Sequence, residues 1–481
     1  MSVQLIIIIA YFALTVAISM LSGRGGKSSA SFHGAGLSVT MVVCASAGEW
    51  LGGTSTTGVS EYGFDFGLSG SWYTIANGIG VIFLALLFAK LYRSLNTVTV
   101  PGIIGKFLGV KARTVSSVFL TFVMLAVGIS QMIAAGSLGV SLMGLDFNIS
   151  IIAFAAVFIV YTLIGGMKSV AYTNVMHLFF MYGGILLAII LALNKVGGIG
   201  KVVSALPPSY FSMTAIGGSK VSSWVIASLL GACTAQAGIQ PILASRDVPS
   251  ARKAAIITAF VAAPFGLFTA LLGMISKTMS LNGTLLDTAG NVVTNGKLAL
   301  PTLMMNLTPV AGGVVLASIL AAILSTVSPI ILASGTMLTK DIYQGVIKKD
   351  ATEKEVLRFS RVTTAVSGVI CAAVAILFNS LNLRVLDIVY FAYSMRGALF
   401  VIVLLGIYWK SASERGAVAG MLATAAVGGI WVIYNAVTGR FPIHPALNET
   451  YISIITAFIT TIVFSLLWKN DKRDPLPQKS S

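Results

Sequence analysis

Apolar stretches of about twenty residues recur along the whole chain, at 3–22, 37–58, 71–91, 114–143, 147–166, 170–194, 221–243, 252–277, 300–336, 360–379, 385–408, 415–437 and 450–468. A helix rises about 1.5 Å per residue, so each stretch can cross a hydrocarbon core about 30 Å thick. Lipid offers no partner for an open backbone N–H or C=O, which leaves helices as the fold for such a sequence. The spans predict an all-α polytopic membrane protein with about 13 transmembrane helices. Composition agrees: 56% of the 481 residues are hydrophobic and only 10% are charged, a balance foreign to soluble domains of this length.

The net charge of +16 would suggest nucleic acid in a soluble protein. Here the clusters "KLYR", "GKFLGVKAR", "SRDVPSARK" and "VIKKDATEKEVLRFSR" all reach one side of the spans if the N-terminus is outside, while "EYGFDFG" reaches the other. The basic excess therefore marks a cytoplasmic face, and nucleic acid is not expected as a partner. The first span lacks the basic start and small-residue cleavage site of a secretory signal, and Arg24 and Lys27 follow it. That places the N-terminus outside and, with thirteen spans, the C-terminus inside. The loop at 278–298 then reads as a small external cap. Cys44, Cys233 and Cys371 fall in apolar spans with no disulfide or metal spacing. His33 and His177 read as structural. No His/Cys/Asp cluster, phosphate loop or nucleophile constellation is visible, so neither an enzyme nor an ATP-driven pump is expected, nor an obligate protein partner.

Two spans are interrupted. "SAGEWLGGTSTTG" (46–58) carries four glycines, and "GACTAQAGIQP" (231–241) carries Gly231, Gly238 and Pro241. They are the second and seventh spans, five apart, so they are inverted relative to each other, and interrupted helices in corresponding halves point to a transporter site. The halves predict a five-plus-five inverted repeat: 1–36 as an extra N-terminal helix and loop, 37–195 and 196–410 as the two halves, and 411–481 as two peripheral helices and a tail. Within the ninth span, "AAILSTVSP" (321–329) places Ala322, Ser325 and Thr326 on one helix face. Such hydroxyls can simply bond back along their own helix. They can also join freed carbonyls opposite to make five oxygens, and an oxygen site without a carboxylate suits a monovalent cation, sodium above all.

"GGKSSASFHGAG", "YTLIGGMKSVAYTNVMH" (161–177) and "AAILSTVSPIILASGTMLTKDIY" (321–343) resemble the sodium:solute symporter family, and the likeness covers nearly the whole chain. The resemblance implies a leucine-transporter-like fold in the cell (plasma) membrane, alternating access, and a sodium gradient that drives import of a small organic solute. It maps a sodium site onto the carbonyls of Val42, Ala45 and Ala322 and the hydroxyls of Ser325 and Thr326. "GEWLGG…EYGFDFG" and "LLFAKLYRS" look nearest the choline-carrier branch. Trp50 matches one wall of an aromatic cage there, but "GACTAQAG" supplies no second wall, and choline is not expected. Some members hold a second sodium with an Asp in a "T-D" step and further hydroxyls. This chain has Thr173-Asn174 and Ser328-Pro329, which implies one sodium per cycle.

Two ionisable residues, Glu49 and Arg396, lie deep in spans, where such groups are functional candidates. One reading is a structural ion pair. Another gives Arg396 a substrate carboxylate, or Glu49 an amine or hydroxyl, and so favours a small polar or carboxylated solute. Trp50, Tyr73, Asn77, Gln131 and Gln236 are the other substrate candidates. Proton coupling through Glu49 and a transport-like solute sensor are the alternatives to sodium symport.

Overall fold

A computed structural model describes residues 3–23, 36–380 and 384–468; Arg24, Lys27 and His33 lie outside the described residues. Among the described residues, regular structure is helical, with two isolated bridges, Leu37 to Ser245 and Leu286 to Val292, the latter in the 278–298 loop.

Among the described residues, eleven helices are long and apolar enough to cross a membrane: Val3–Ser22, Thr54–Ser94, Val110–Met143, Phe147–Ile164, Ser169–Val196, Val248–Leu281, Pro309–Ile347, Glu353–Asn379, Val385–Tyr408, Glu414–Thr438 and Glu449–Leu467. A bent pair, Gly218–Thr234 with Gln236–Leu243, makes twelve. The expected thirteenth, 37–58, is not one rod. Its first part is the helix Val39–Trp50, only 12 residues long, and the chain breaks at Leu51 (φ −111°, ψ 42°) before helical turns resume at Thr54–Gly58 and Val59–Phe66. Gly67 (φ 70°) then starts a tight turn that ends at Trp72, where the next helix begins.

The expected span 300–336 also starts later than its hydropathy suggests. Helix Gly296–Met305 ends inside that span, and Pro309 opens a new helix after an extended Thr308 (ψ 148°). A residue before proline is pushed out of helical geometry, so the boundary is set by Pro309. Gly166, at φ 60° and ψ −165°, divides Phe147–Val196 by a backbone conformation open to glycine.

Burial sorts the helices into centre and rim. In the most apolar window of Pro309–Ile347, 94% of residues are buried, against 22% in Val3–Ser22 and 28% in Glu449–Leu467. Lipid gives helices no hydrophobic reason to associate, so the central one must pack closely. Its "GGVVLASILAAILSTVSPIILASGT" is built from small and β-branched residues accordingly. Rim helices instead expose large apolar side chains such as Phe179 and Val437. Polar networks tie the helix ends: Arg113 to Asp341 at 2.7 Å, and Arg384 to Asp65 at 2.9 Å beside Lys220 to Asp387 at 3.0 Å.

Candidate functional site

The site forms where the two breaks meet the central helix. Leaving helical geometry at Leu51 costs the first broken helix its intrahelical partners, and Gln131 of the helix Val110–Met143 supplies replacements. Its Oε1 accepts from the Gly53 N–H at 2.7 Å and its Nε2 donates to Thr54 Oγ1 at 2.7 Å. Gln236 follows the second break, at Ala235 (ψ 85°), and reaches out to the turn before the helix Val100–Leu108. Its Oε1 accepts from the Val100 N–H at 2.7 Å and its Nε2 donates to the Val98 carbonyl at 3.1 Å. Both glutamines were expected to face solute, yet both commit their amides to the chain. Ser46 joins the two breaks directly, donating to the Gly238 carbonyl at 2.8 Å.

The hydroxyls of "AAILSTVSP" reach across helices. Ser325 Oγ donates to the Ala322 carbonyl at 2.8 Å and to the Gly48 carbonyl at 3.3 Å, and Thr326 Oγ1 donates to the same Gly48 oxygen. Four oxygens from two helices thus converge with no carboxylate among them. Val42 and Ala45 are buried in the regular turns of Val39–Trp50, and the acceptor that the hydroxyls meet is one turn further on. Gly48 permits the approach. A Cβ there would stand 2.3 Å from Asn174 Nδ2 and 2.9 Å from the Ser325 carbonyl.

Asn174 and Pro329 explain each other. Proline has no N–H, so Pro329 leaves the Ser325 carbonyl without its helical donor. Asn174 Nδ2 donates to that carbonyl at 3.3 Å. An ionised Asp, an acceptor only, could not.

Glu49 and Arg396 do meet, Oε1 to Nη1 at 3.2 Å, with both side chains wholly buried. The Arg396 guanidinium lies 3.9 Å over the Tyr393 ring and 5.7 Å from the Trp50 ring centre. Tyr73 stacks on Tyr393, ring centres 6.0 Å apart, and their hydroxyls are 3.0 Å apart. A second aromatic wall for Trp50 therefore exists, on a helix that the choline comparison did not consider, and the protein's own Arg396 already covers it. Tyr393 was missed in the sequence. The signal was present, because Tyr390, Tyr393 and Arg396 recur at intervals of three on one helix face. Asn77 is buried, with neither amide atom hydrogen-bonded. His177 is structural as expected: its Nδ1 pairs with the Tyr11 hydroxyl, tying the N-terminal helix to Ser169–Val196.

Comparison with known proteins identifies the family and the fold. The model of the sodium:solute symporter family matches residues 32–424. The sodium/glucose cotransporter of Vibrio parahaemolyticus is 24% identical over 76% of this chain and 72% of its own length. The high-affinity proline transporter PutP of Bacillus subtilis is 26% identical over 83% and 85%. A sodium-coupled sialic acid symporter, solved substrate-bound and outward-open, superposes with a TM-score of 0.75 at 17% identity, covering 97% of this chain and 98% of that one. MhsT in complex with L-phenylalanine superposes with a TM-score of 0.58 at 14% identity, over 90% and 99%. These neighbours share the leucine-transporter-like fold. The chain belongs to the sodium:solute symporter family, and it is a multi-pass cell-membrane protein that couples solute movement to sodium rather than an enzyme.

Proposed function

We propose that this chain imports a small polar or carboxylated organic solute by alternating access, with one sodium ion carried per cycle. The carrying observation is the pair of hydroxyls, Ser325 and Thr326, that cross from the central helix to the Gly48 carbonyl. Sodium, as co-substrate, binds between these hydroxyls, the Ala322 carbonyl and carbonyls of the first broken helix, with Val42 and Ala45 the donors that the family pattern assigns. A hard monovalent cation is served by such neutral oxygens. Asn174 occupies the place where a second ion would need a negative charge, and it is engaged with the Ser325 carbonyl. The five-plus-five repeat, its boundaries, and a topology with the N-terminus outside and the C-terminus inside belong to the same proposal.

Proton coupling through Glu49 is disfavoured by the engagement of its Oε1 with the Arg396 guanidinium at 3.2 Å. Uptake into proteoliposomes separates the readings. Accumulation should require an inward sodium gradient and collapse with a sodium ionophore. Accumulation driven by a proton gradient without sodium would favour Glu49 as carrier, and saturable binding without flux would favour a sensor.

A further inference from the structure

A buried ion pair normally satisfies its remaining hydrogen-bonding atoms within the protein. The Glu49–Arg396 pair does not. Glu49 Oε2 and Arg396 Nε and Nη2 are all buried without a hydrogen-bond partner, and so are both amide atoms of Asn77. The Arg396 guanidinium spends its face on Tyr393, which leaves in-plane N–H groups as donors. Gly238 stands against the free carboxylate oxygen: a Cβ there would lie 3.1 Å from Glu49 Oε2 and 3.0 Å from Trp50 Cζ2.

We propose that the solute is a zwitterion bearing at least one N–H on its cationic end, an α-amino or α-imino acid, held with its carboxylate on Arg396 Nε/Nη2 and its ammonium on Glu49 Oε2. The proposal rests on the symport reading and names its solute. Charge balance selects the class. The buried pair is neutral, so a lone anion on Arg396 would place a second negative charge beside Glu49, and a lone cation on Glu49 would crowd Arg396. A zwitterion gives every charge an opposite neighbour and leaves the site neutral. A neutral polyol would leave the charged atoms without charged partners. A trimethylated betaine has no N–H for Oε2. Trp50, Tyr73 and Tyr393, whose rings lie against one another and against the guanidinium, supply apolar contact for a short side chain.

The test is a thermal-shift and isothermal-titration screen of the purified full chain in sodium. It uses the standard α-amino acids including L-proline, and for each binder its amide, the analogue with oxygen in place of its α-nitrogen and its fully N-methylated quaternary derivative, with D-glucose and pyruvate as controls. At least one amino acid should stabilise the protein, and each of its three derivatives should bind at least tenfold more weakly. Glu49→Gln/Arg396→Gln should lose amino-acid binding in protein that remains monodisperse. Stabilisation by glucose or pyruvate with none by any amino acid overturns the proposal, as does a panel without effect on a protein that sodium stabilises. Retained amino-acid binding in the double variant also overturns it, because a merely structural pair should tolerate joint neutralisation. Failure of the symport reading looks different: sodium itself then has no effect on the protein.

Discussion

At the scale of single residues, the hydroxyls of Ser325 and Thr326 carry most of the functional argument. Replacing both by Ala should abolish sodium-stimulated uptake while leaving the protein folded, since each loses a coordinating oxygen and dehydrating a cation is costly without such partners. Asn174→Asp is more revealing. It removes the donor to the Ser325 carbonyl and should lower stability by about 1–3 kcal/mol, seen as a lower melting temperature. Pro329 remains, so the sodium Hill coefficient should stay near one; a rise toward two would show that the charge alone builds a second site. Much of this was legible in sequence. The spacing of Ala322, Ser325 and Thr326 on one helix face pointed to a shared role, and the absence of an Asp at 174 was visible. The bond from Asn174 to the carbonyl freed by Pro329 was not, because it joins residues 151 positions apart through a side-chain orientation that periodicity does not encode.

At the scale of elements, the glycine-rich interruptions announced both breaks, and the helices break there at Leu51 and Ala235. What the sequence left open was who serves the broken backbone. Gln131 and Gln236 read as solute ligands because a polar residue in an apolar span has no obvious partner until tertiary contacts supply one. Gln131 replaces a missing helical partner at Gly53, and Gln236 pins the turn at Val98 and Val100 beside the second break. Gln131→Ala should leave the buried Gly53 N–H unpaired, costing about 1–3 kcal/mol, and should weaken sodium affinity by loosening the turn after Gly48. Sodium-dependent thermal shift on the purified variant measures both effects. An unchanged melting temperature and unchanged sodium response would show that the break is held by other contacts. Span boundaries were less legible where local backbone chemistry overrides hydropathy, as at Pro309 and Gly166.

At the scale of the whole molecule, one central helix faces two broken ones, and the oxygen cluster and the Glu49–Arg396 pair both lie at the breaks. The all-helical membrane class followed from hydropathy, whereas the expected thirteen spans become eleven, or twelve with the bent pair, among the described residues, and the central place of Pro309–Ile347 followed only from packing. The proposed stoichiometry of one sodium per cycle sets the energetics to be expected. A tenfold gradient contributes about 1.4 kcal/mol, and 100 mV adds about 2.3 kcal/mol per charge moved. A solute with no net charge should therefore accumulate several-hundred-fold, on the order of the sum of those two terms, and a monoanion only about tenfold because its transport moves no net charge. Accumulation ratios at clamped potential check this. The most direct test of the account is equilibrium binding of radioactive sodium to the purified chain, wild type beside the Ser325→Ala/Thr326→Ala variant. The wild type should saturate at one ion per chain without cooperativity, and the variant, still monodisperse, should lose at least about tenfold in affinity, or 1.4 kcal/mol. Undiminished sodium binding in that variant would contradict the account.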